Sequence, residues 1–393
     1  MKLFLKILLG VFGFISVLVF GFWLSAKISN RPGPAAEPLS ELSSAGLQAA
    51  IEGIAAERNL VGVAAKVTVG GEIIAEAETG WRTKNETEPL HASDPFHVGS
   101  IGKSMSATAI ATLVEDGVMG WDDTLGDRLT DVPMNAGWRD VTLSQLLTHT
   151  ASIPRPPLTA MLNSVSEPAR LREVRRETAA LILAETPTTV PGTAFAYSNE
   201  GFMLASVMAE EATGESWEHI MQSRVATPLG LSTLGFGAPQ GDVPWGHRKI
   251  GALKMSMDPA QNADNPPWMA AAGTMHMTLD DLLTYGHAHL EAGTNEMGLL
   301  TPETFTRLHT PVMNNYAYGW VVQNRDFTPD QNDSEDPVVW HNGSNTMWYA
   351  VLVLLPKRDA AIVIATNDGS GINETQRAFD ELAAQIAKAI AAE

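Results

Sequence analysis

Segments with strand character fall near the two ends of this 393-residue chain, and the middle carries mainly helical signals; that distribution limits the folds open to it. Near the start, Leu47, Ile51, Ile54 and Ala55 mark an amphipathic helix. Val61–Val69 and Ile73–Ala77 then read as two strands joined by a hairpin turn at Gly70-Gly71. From about Met105 to Leu290 helical stretches alternate with Pro- and Gly-rich loops, among them Leu143–Thr150, Leu181–Val190 running into Pro191-Gly192, Phe202–Met221 and Asp280–Leu290. Strands return at Tyr318–Gln323, Val338–His341, Trp348–Leu355 and Ala361–Thr366, the last two linked by the turn sequence Pro356-Lys-Arg-Asp359. Asn373–Ile390 closes the chain as a helix. The order predicts an α+β fold, with an antiparallel sheet built from both chain ends, the terminal helices over one face, and a mostly helical region, about 105–290, inserted between. One domain is expected over 41–393, after a Pro-rich linker at 29–40.

Charge narrows the partners. With 26 Lys and Arg against 45 Asp and Glu, the net charge is −19. No long basic run is present, which argues against a nucleic-acid partner. The absence of cysteine excludes a thiol nucleophile, a thiolate metal site and a disulfide frame.

At the N-terminus, Lys2 and Lys6 precede an uncharged, apolar run from Ile7 to Ala26. A run of about 20 apolar residues can cross a hydrocarbon core, whereas a cleaved signal has a shorter one. Residues 1–28 are therefore expected to be an uncleaved signal anchor, with a cleaved signal at Leu24-Ser-Ala26 as the alternative. The chain is then expected in the cell envelope, held to the cytoplasmic membrane through residues 7–26 and facing the periplasm or outside, or free in the periplasm if cleaved.

Phe96-His-Val-Gly-Ser-Ile-Gly-Lys-Ser-Met-Ser-Ala107 carries the chemistry. Apolar residues at helical spacing follow it, so Ser100 falls at a helix start and Lys103 one turn further along the same side. A serine hydroxyl becomes a useful nucleophile when a neighbour takes its proton. A lysine does so once burial lowers its pKa from about 10.4. A bare Ser-x-x-Lys is more often an exposed helical lysine. Here the neighbours are small and apolar, and Lys103 is the only lysine between Lys84 and Lys249.

Two further stretches can supply partners. Tyr197-Ser-Asn199 follows Pro191-Gly192 just before a helix; a phenol there can shuttle a proton and Asn199 can orient a carbonyl, although an isolated asparagine at that place usually caps or turns the chain. Trp340-His-Asn-Gly-Ser344 ends a strand. There Gly343 would let a substrate lie along the strand edge, the Ser344 N–H would be a second oxyanion donor, and His341 would form a polar or cationic wall; alone, the stretch reads as an edge-strand histidine beside a turn.

The ordered set, with Leu146-Leu-Thr-His-Thr150, Trp245-Gly-His247 and Tyr318-Gly-Trp320, resembles the serine β-lactamase and penicillin-binding-protein superfamily, whose signature includes Ser-x-x-Lys. It is most similar to the class C β-lactamase-related group, with family VIII carboxylesterases and D-amino-acid peptidases, over roughly residues 45–391. The resemblance implies a serine hydrolase acting without cofactor or metal on an ester, a D-amino-acid amide or peptide, or a β-lactam. Ser100 would be acylated, Lys103 would help activate it, and Tyr197 would be the base. Asn199 would contact the substrate, and the N–H groups of Ser100 and Ser344 would form the oxyanion hole. His341 replaces the lysine of true lactamases, which makes efficient β-lactamase activity less expected than esterase or peptidase activity. The alternative is a penicillin-binding receptor or an inactive homologue that binds peptidoglycan. His149 is expected to hold a loop. His287 and His289, two apart on a helix, do not share a face for a metal.

Overall fold

The computed structural model describes residues 39–84, 88–156, 167–261, 263–291, 298–324 and 337–392. The expected anchor at 1–28 and most of the linker lie outside these residues. Among the described residues no helix is long and apolar enough to cross a membrane.

The first element among the described residues is α1 (Ser44–Arg58), whose N-cap Ser43 accepts from the Gly46 N–H and whose end turns at Asn59 in the left-handed region. β1 (Gly62–Val69) and β2 (Glu72–Gly80) form the expected hairpin, with Gly70 and Gly71 both at positive φ, the geometry such a two-residue turn demands. The short β3 (Phe96–His97) leads through a 3-10 turn at Gly99–Ile101 into α2 (Gly102–Glu115). Later come α3 (Pro168–Leu183), α4 (Asn199–Thr213), β4 (Gly235–Phe236), the β5–β6 hairpin (Gly246–Ile250, Leu253–Met257), β7 (Met275–Met277) and α5 (Leu279–Leu290). The end of the chain adds β8 (Val321–Asn324), β9 (Pro337–Ser344), β10 (Tyr349–Leu355), β11 (Ala360–Thr366) and α6 (Ile372–Ala392).

The two chain ends meet in a six-stranded sheet of order β2-β1-β11-β10-β9-β8, antiparallel throughout. β1 pairs directly with β11, Val63 opposite Thr366 and Val69 opposite Ala360. Both faces of the central strands are apolar and covered. Val351, Val353, Ile362 and Ile364 pack with Ile51, Phe379, Leu382 and Ile386 of the terminal helices. Their alternates Leu352, Leu354, Val363 and Ala365 join the larger core of the helical region, including Leu282 and Leu283 of α5. The strands therefore read as continuous apolar runs rather than as alternating ones.

Several expected boundaries change: the Leu143–Thr150 helix ends at Leu147, the Val338–His341 strand runs on to Ser344, and three others shift for a visible reason. The Tyr318–Gln323 strand starts only at Val321, because Gly319 sits at φ +79°. There the backbone presses against Lys103, and a Cβ would lie 2.6 Å from the Lys103 carbonyl oxygen. The Phe202–Met221 stretch is two helices, broken at Gly214 in the left-handed region and restarted at Ser216, which caps Trp217–Met221. Leu181–Val190 is helical only to Leu183; Pro187 lies just beyond, and the Thr188 N–H instead bonds the Ser152 carbonyl.

Candidate active site

Ser100 lies in the 3-10 turn, half-buried, and Lys103 lies in the first turn of α2. An exposed helical lysine is ruled out, since Lys103 has no solvent-accessible surface. Its Nζ is 2.9 Å from Ser100 Oγ, 2.8 Å from Asn199 Oδ1 and 2.6 Å from the Ala272 carbonyl oxygen. Burial pulls its pKa down to about 7, although the Glu200 carboxylate opposes the shift. In the neutral amine, two N–H groups satisfy Asn199 and Ala272, and the lone pair is left facing the Ser100 hydroxyl.

Tyr197 completes the group. Its hydroxyl is hydrogen-bonded to Ser100, and Lys103 Nζ sits 4.9 Å from its ring centre. Burial raises its pKa well above the usual phenol value, against the Ser100 bond, which lowers it. The phenol is therefore protonated at neutral pH.

The loop carrying Tyr197 is pinned by the Leu146–Thr150 stretch. Gly192 N–H bonds the Thr150 carbonyl, Ala196 N–H bonds the His149 carbonyl, and Ser198 N–H bonds His149 Nδ1. The His149 ring lies against that of Tyr197, centroids 4.2 Å apart. His149 therefore holds this loop, as its sequence suggested. Ser198, not Asn199, caps α4, which leaves the Asn199 oxygen for Lys103.

The β9 end forms the opposite wall. β8 pairs only with residues 337–340, so beyond Trp340 that edge of β9 faces the Ser100 turn. The contact is glycine against glycine. A Cβ on Gly99 would fall 2.2 Å from Ser344 N, and one on Gly343 would fall 2.0 Å from Val98 O and 2.4 Å from Ser100 N. Gly343 was expected to make room for substrate; it makes room for the turn that carries Ser100. The close fit puts the Ser100 and Ser344 backbones side by side.

His341 is buried, its Nε2 3.4 Å from the Tyr316 hydroxyl and its Nδ1 2.5 Å from the Asn342 carbonyl oxygen. Burial first, and the nearby Lys103 second, push its pKa down to about 3. The cationic wall allowed by the sequence is therefore a neutral imidazole at physiological pH. His287 Nε2 bonds Thr68, and His289 bonds Thr108 and His309. Among the described residues no cluster of His, Asp and Glu is arranged to hold a metal.

Sequence reasoning missed two members of the site. Glu200 is a buried carboxylate bonded by Ser198 Oγ at 2.8 Å, its pKa raised by burial. Its place after Asn199 on a buried helix start was the available signal. The Ala272 carbonyl, a backbone group 169 residues from Lys103, left none.

A family model described as Beta-lactamase matches residues 47–386. Penicillin-binding protein 4 of Amycolatopsis lactamdurans is 24% identical over 358 residues, covering 86% of this chain and 89% of its own. Two other curated relatives are matched over only 58% and 60% of their own length. Among solved structures, a D-stereospecific amidohydrolase from Streptomyces sp. superposes with a TM-score of 0.67 at 22% identity, over 86% of this chain and 98% of that one. EstCE1, described as a hydrolase with promiscuous acyltransferase activity, gives 0.69 at 18% identity, over 87% and 97%. At these identities the superpositions speak for the fold, and the match over residues 47–386 places this chain in the beta-lactamase family.

Proposed function

We propose that this chain is a serine hydrolase that cleaves an ester or a D-amino-acid amide or peptide bond, and a β-lactam less readily, through an acyl-enzyme on Ser100. The observation that carries the reading is the buried Lys103 amine, 2.9 Å from Ser100 Oγ and held by two fixed acceptors. Ser100 Oγ attacks the carbonyl carbon while its proton passes to Lys103 Nζ. The N–H groups of Ser100 and Ser344 take the developing oxyanion. Collapse breaks the bond to the leaving group, which receives the proton from Lys103 by way of the Tyr197 hydroxyl. Water then attacks the acyl ester and loses its proton along the same route, releasing the acid and restoring Ser100. Here Lys103 is the base and Tyr197 the relay, which reverses the roles implied by resemblance.

The neutral His341 supports the ranking of substrates. A penicillin carries an obligatory carboxylate close to its reacting carbonyl, whereas an ester or an amide need not, and an imidazole pushed down to about pKa 3 offers that carboxylate no charge. The apolar run at 7–26 supports a place in the cell envelope.

The test follows intact mass after adding a penicillin, and hydrolysis of a short-chain nitrophenyl ester, with Ser100→Ala as control. Ester turnover lost in Ser100→Ala supports the proposal. A lasting penicillin adduct without turnover would favour a binding receptor, and activity surviving Ser100→Ala would overturn the mechanism.

A further inference from the structure

Behind the wall formed by Gly99 and Gly343 lies a small polar knot that the proposed chemistry does not use. One oxygen of Asp264, Oδ1, collects groups from three separate segments. It accepts from the N–H of its neighbour Asn265 at 2.6 Å and from Asn345 Nδ2 at 2.9 Å, and it lies 2.9 Å from His97 Nε2. The other oxygen, Oδ2, is buried and makes no hydrogen bond among the described residues.

Each arm of the knot ends beside one side of the active site. His97 has no exposed surface, and its Nδ1 accepts the Gly99 N–H at 3.1 Å, one residue before Ser100. With Nδ1 accepting, the ring N–H falls on Nε2, which lies 2.9 Å from Asp264 Oδ1 in a close polar contact rather than an aligned hydrogen bond. Asn345 directly follows Ser344, and its Oδ1 accepts the N–H groups of Met347 and Trp348, both at 3.1 Å. Asn265 reaches inward as well, its Nδ2 donating to the Gly273 carbonyl at 2.7 Å, next to the Ala272 carbonyl that holds Lys103.

From this geometry we infer that Asp264 is a positioning residue which, through His97 and Asn345, sets the spacing between the Ser100 turn and the Ser344 end of β9. The inference rests on the proposed acyl-enzyme reading. It assigns Asp264 no contact with substrate. The two backbone N–H groups can serve one oxyanion only if both walls keep their separation, and a small misplacement of such donors is costly. The Gly99–Gly343 contact prevents the walls from closing further, and the Asp264 knot prevents them from spreading.

The one-sided use of the carboxylate gives a sharp pair of variants. Asp264→Asn can keep Oδ1 in place for all three neighbours and put its amide nitrogen where Oδ2 makes no bond. Asp264→Ala removes the acceptor. On a nitrophenyl ester, Asp264→Ala is expected to lower kcat by about 10²-fold with KM changed by less than about threefold, and Asp264→Asn to restore kcat to within about fivefold of the parent. Binding of phenylboronic acid, whose tetrahedral adduct mimics the oxyanion, should weaken in step with kcat. In a readout independent of activity, hydrogen exchange should quicken at 97–101 and 343–348 together in Asp264→Ala and in neither segment in Asp264→Asn. Exchange rising only around residue 264, or equal loss in both variants, would overturn the inference. Ester turnover that proves independent of Ser100 would overturn the acyl-enzyme reading, and the exchange experiment would still decide the role of Asp264.

Discussion

The Nζ of Lys103 donates to the Ala272 carbonyl oxygen across 2.6 Å, a bond that joins α2 to a segment 169 residues later. With Asn199 Oδ1 on a second side, it fixes the amine so that its remaining direction points at Ser100. Replacing Lys103 by Ala or Arg should lower kcat/KM for an ester by about 10²–10⁴-fold, the usual worth of a positioned general base. Arg should not rescue, because a guanidinium stays protonated. Steady-state kinetics on the folded variants checks this, and rescue by Arg would show that charge alone suffices.

The pH profile should identify the base. With Lys103 lowered to about 7, the ammonium is the inactive form, so kcat/KM should fall tenfold per unit below about pH 7 and level off above it. Tyr197→Phe should slow the reaction but leave that limb in place, since the phenol stays protonated throughout the range. A limb that vanished in Tyr197→Phe would return the basic role to Tyr197.

Mild acid should destabilise the fold through its buried histidines. His341 and His309 are held neutral by burial, lowered to about 3 and about 4. In the unfolded chain each binds a proton near pH 6.5. Between these values the unfolded state carries more protons, so stability falls as pH drops from about 6.5 towards 4. Thermal melts from pH 7 to 4.5 should show the decline, and it should be shallower in His309→Gln, which cannot titrate.

Gly343→Ala tests the close wall directly. Its Cβ would meet the Val98 oxygen at 2.0 Å and Ser100 N at 2.4 Å, both backbone atoms that cannot swing aside. We expect a loss of stability of about 1–3 kcal/mol and loss of most ester hydrolysis, from melts and kinetics together. Retained full activity would show that β9 can retreat from the Ser100 turn without cost.

Much of the scaffold was legible because its signals are local. Gly70-Gly71 demands a hairpin, the β10 and β11 segments are apolar on both faces, and the last helix repeats its apolar residues at helical spacing. Ser100 and Lys103 were legible for the same reason, since residues three apart along a helical turn lie on the same side. Some misreadings came where a tertiary contact overrode local preference. Gly319 breaks the expected strand in this way, because its backbone lies on Lys103; at Gly214 the missed signal was itself local, a left-handed glycine stop with open space around it.

By itself, then, the sequence determined an antiparallel sheet joining the chain ends, a helical insertion, and a serine with a lysine one turn away. Only the tertiary structure decided that burial lowers the lysine's pKa to about 7, that His341 carries no charge, that Asn199 holds Lys103, and that Asp264 sits between His97 and Asn345. The physical reason is that pairing along one helix or turn depends on fixed backbone periodicity, whereas protonation and long-range contacts depend on how much water the packed chain excludes and which distant backbone it brings near.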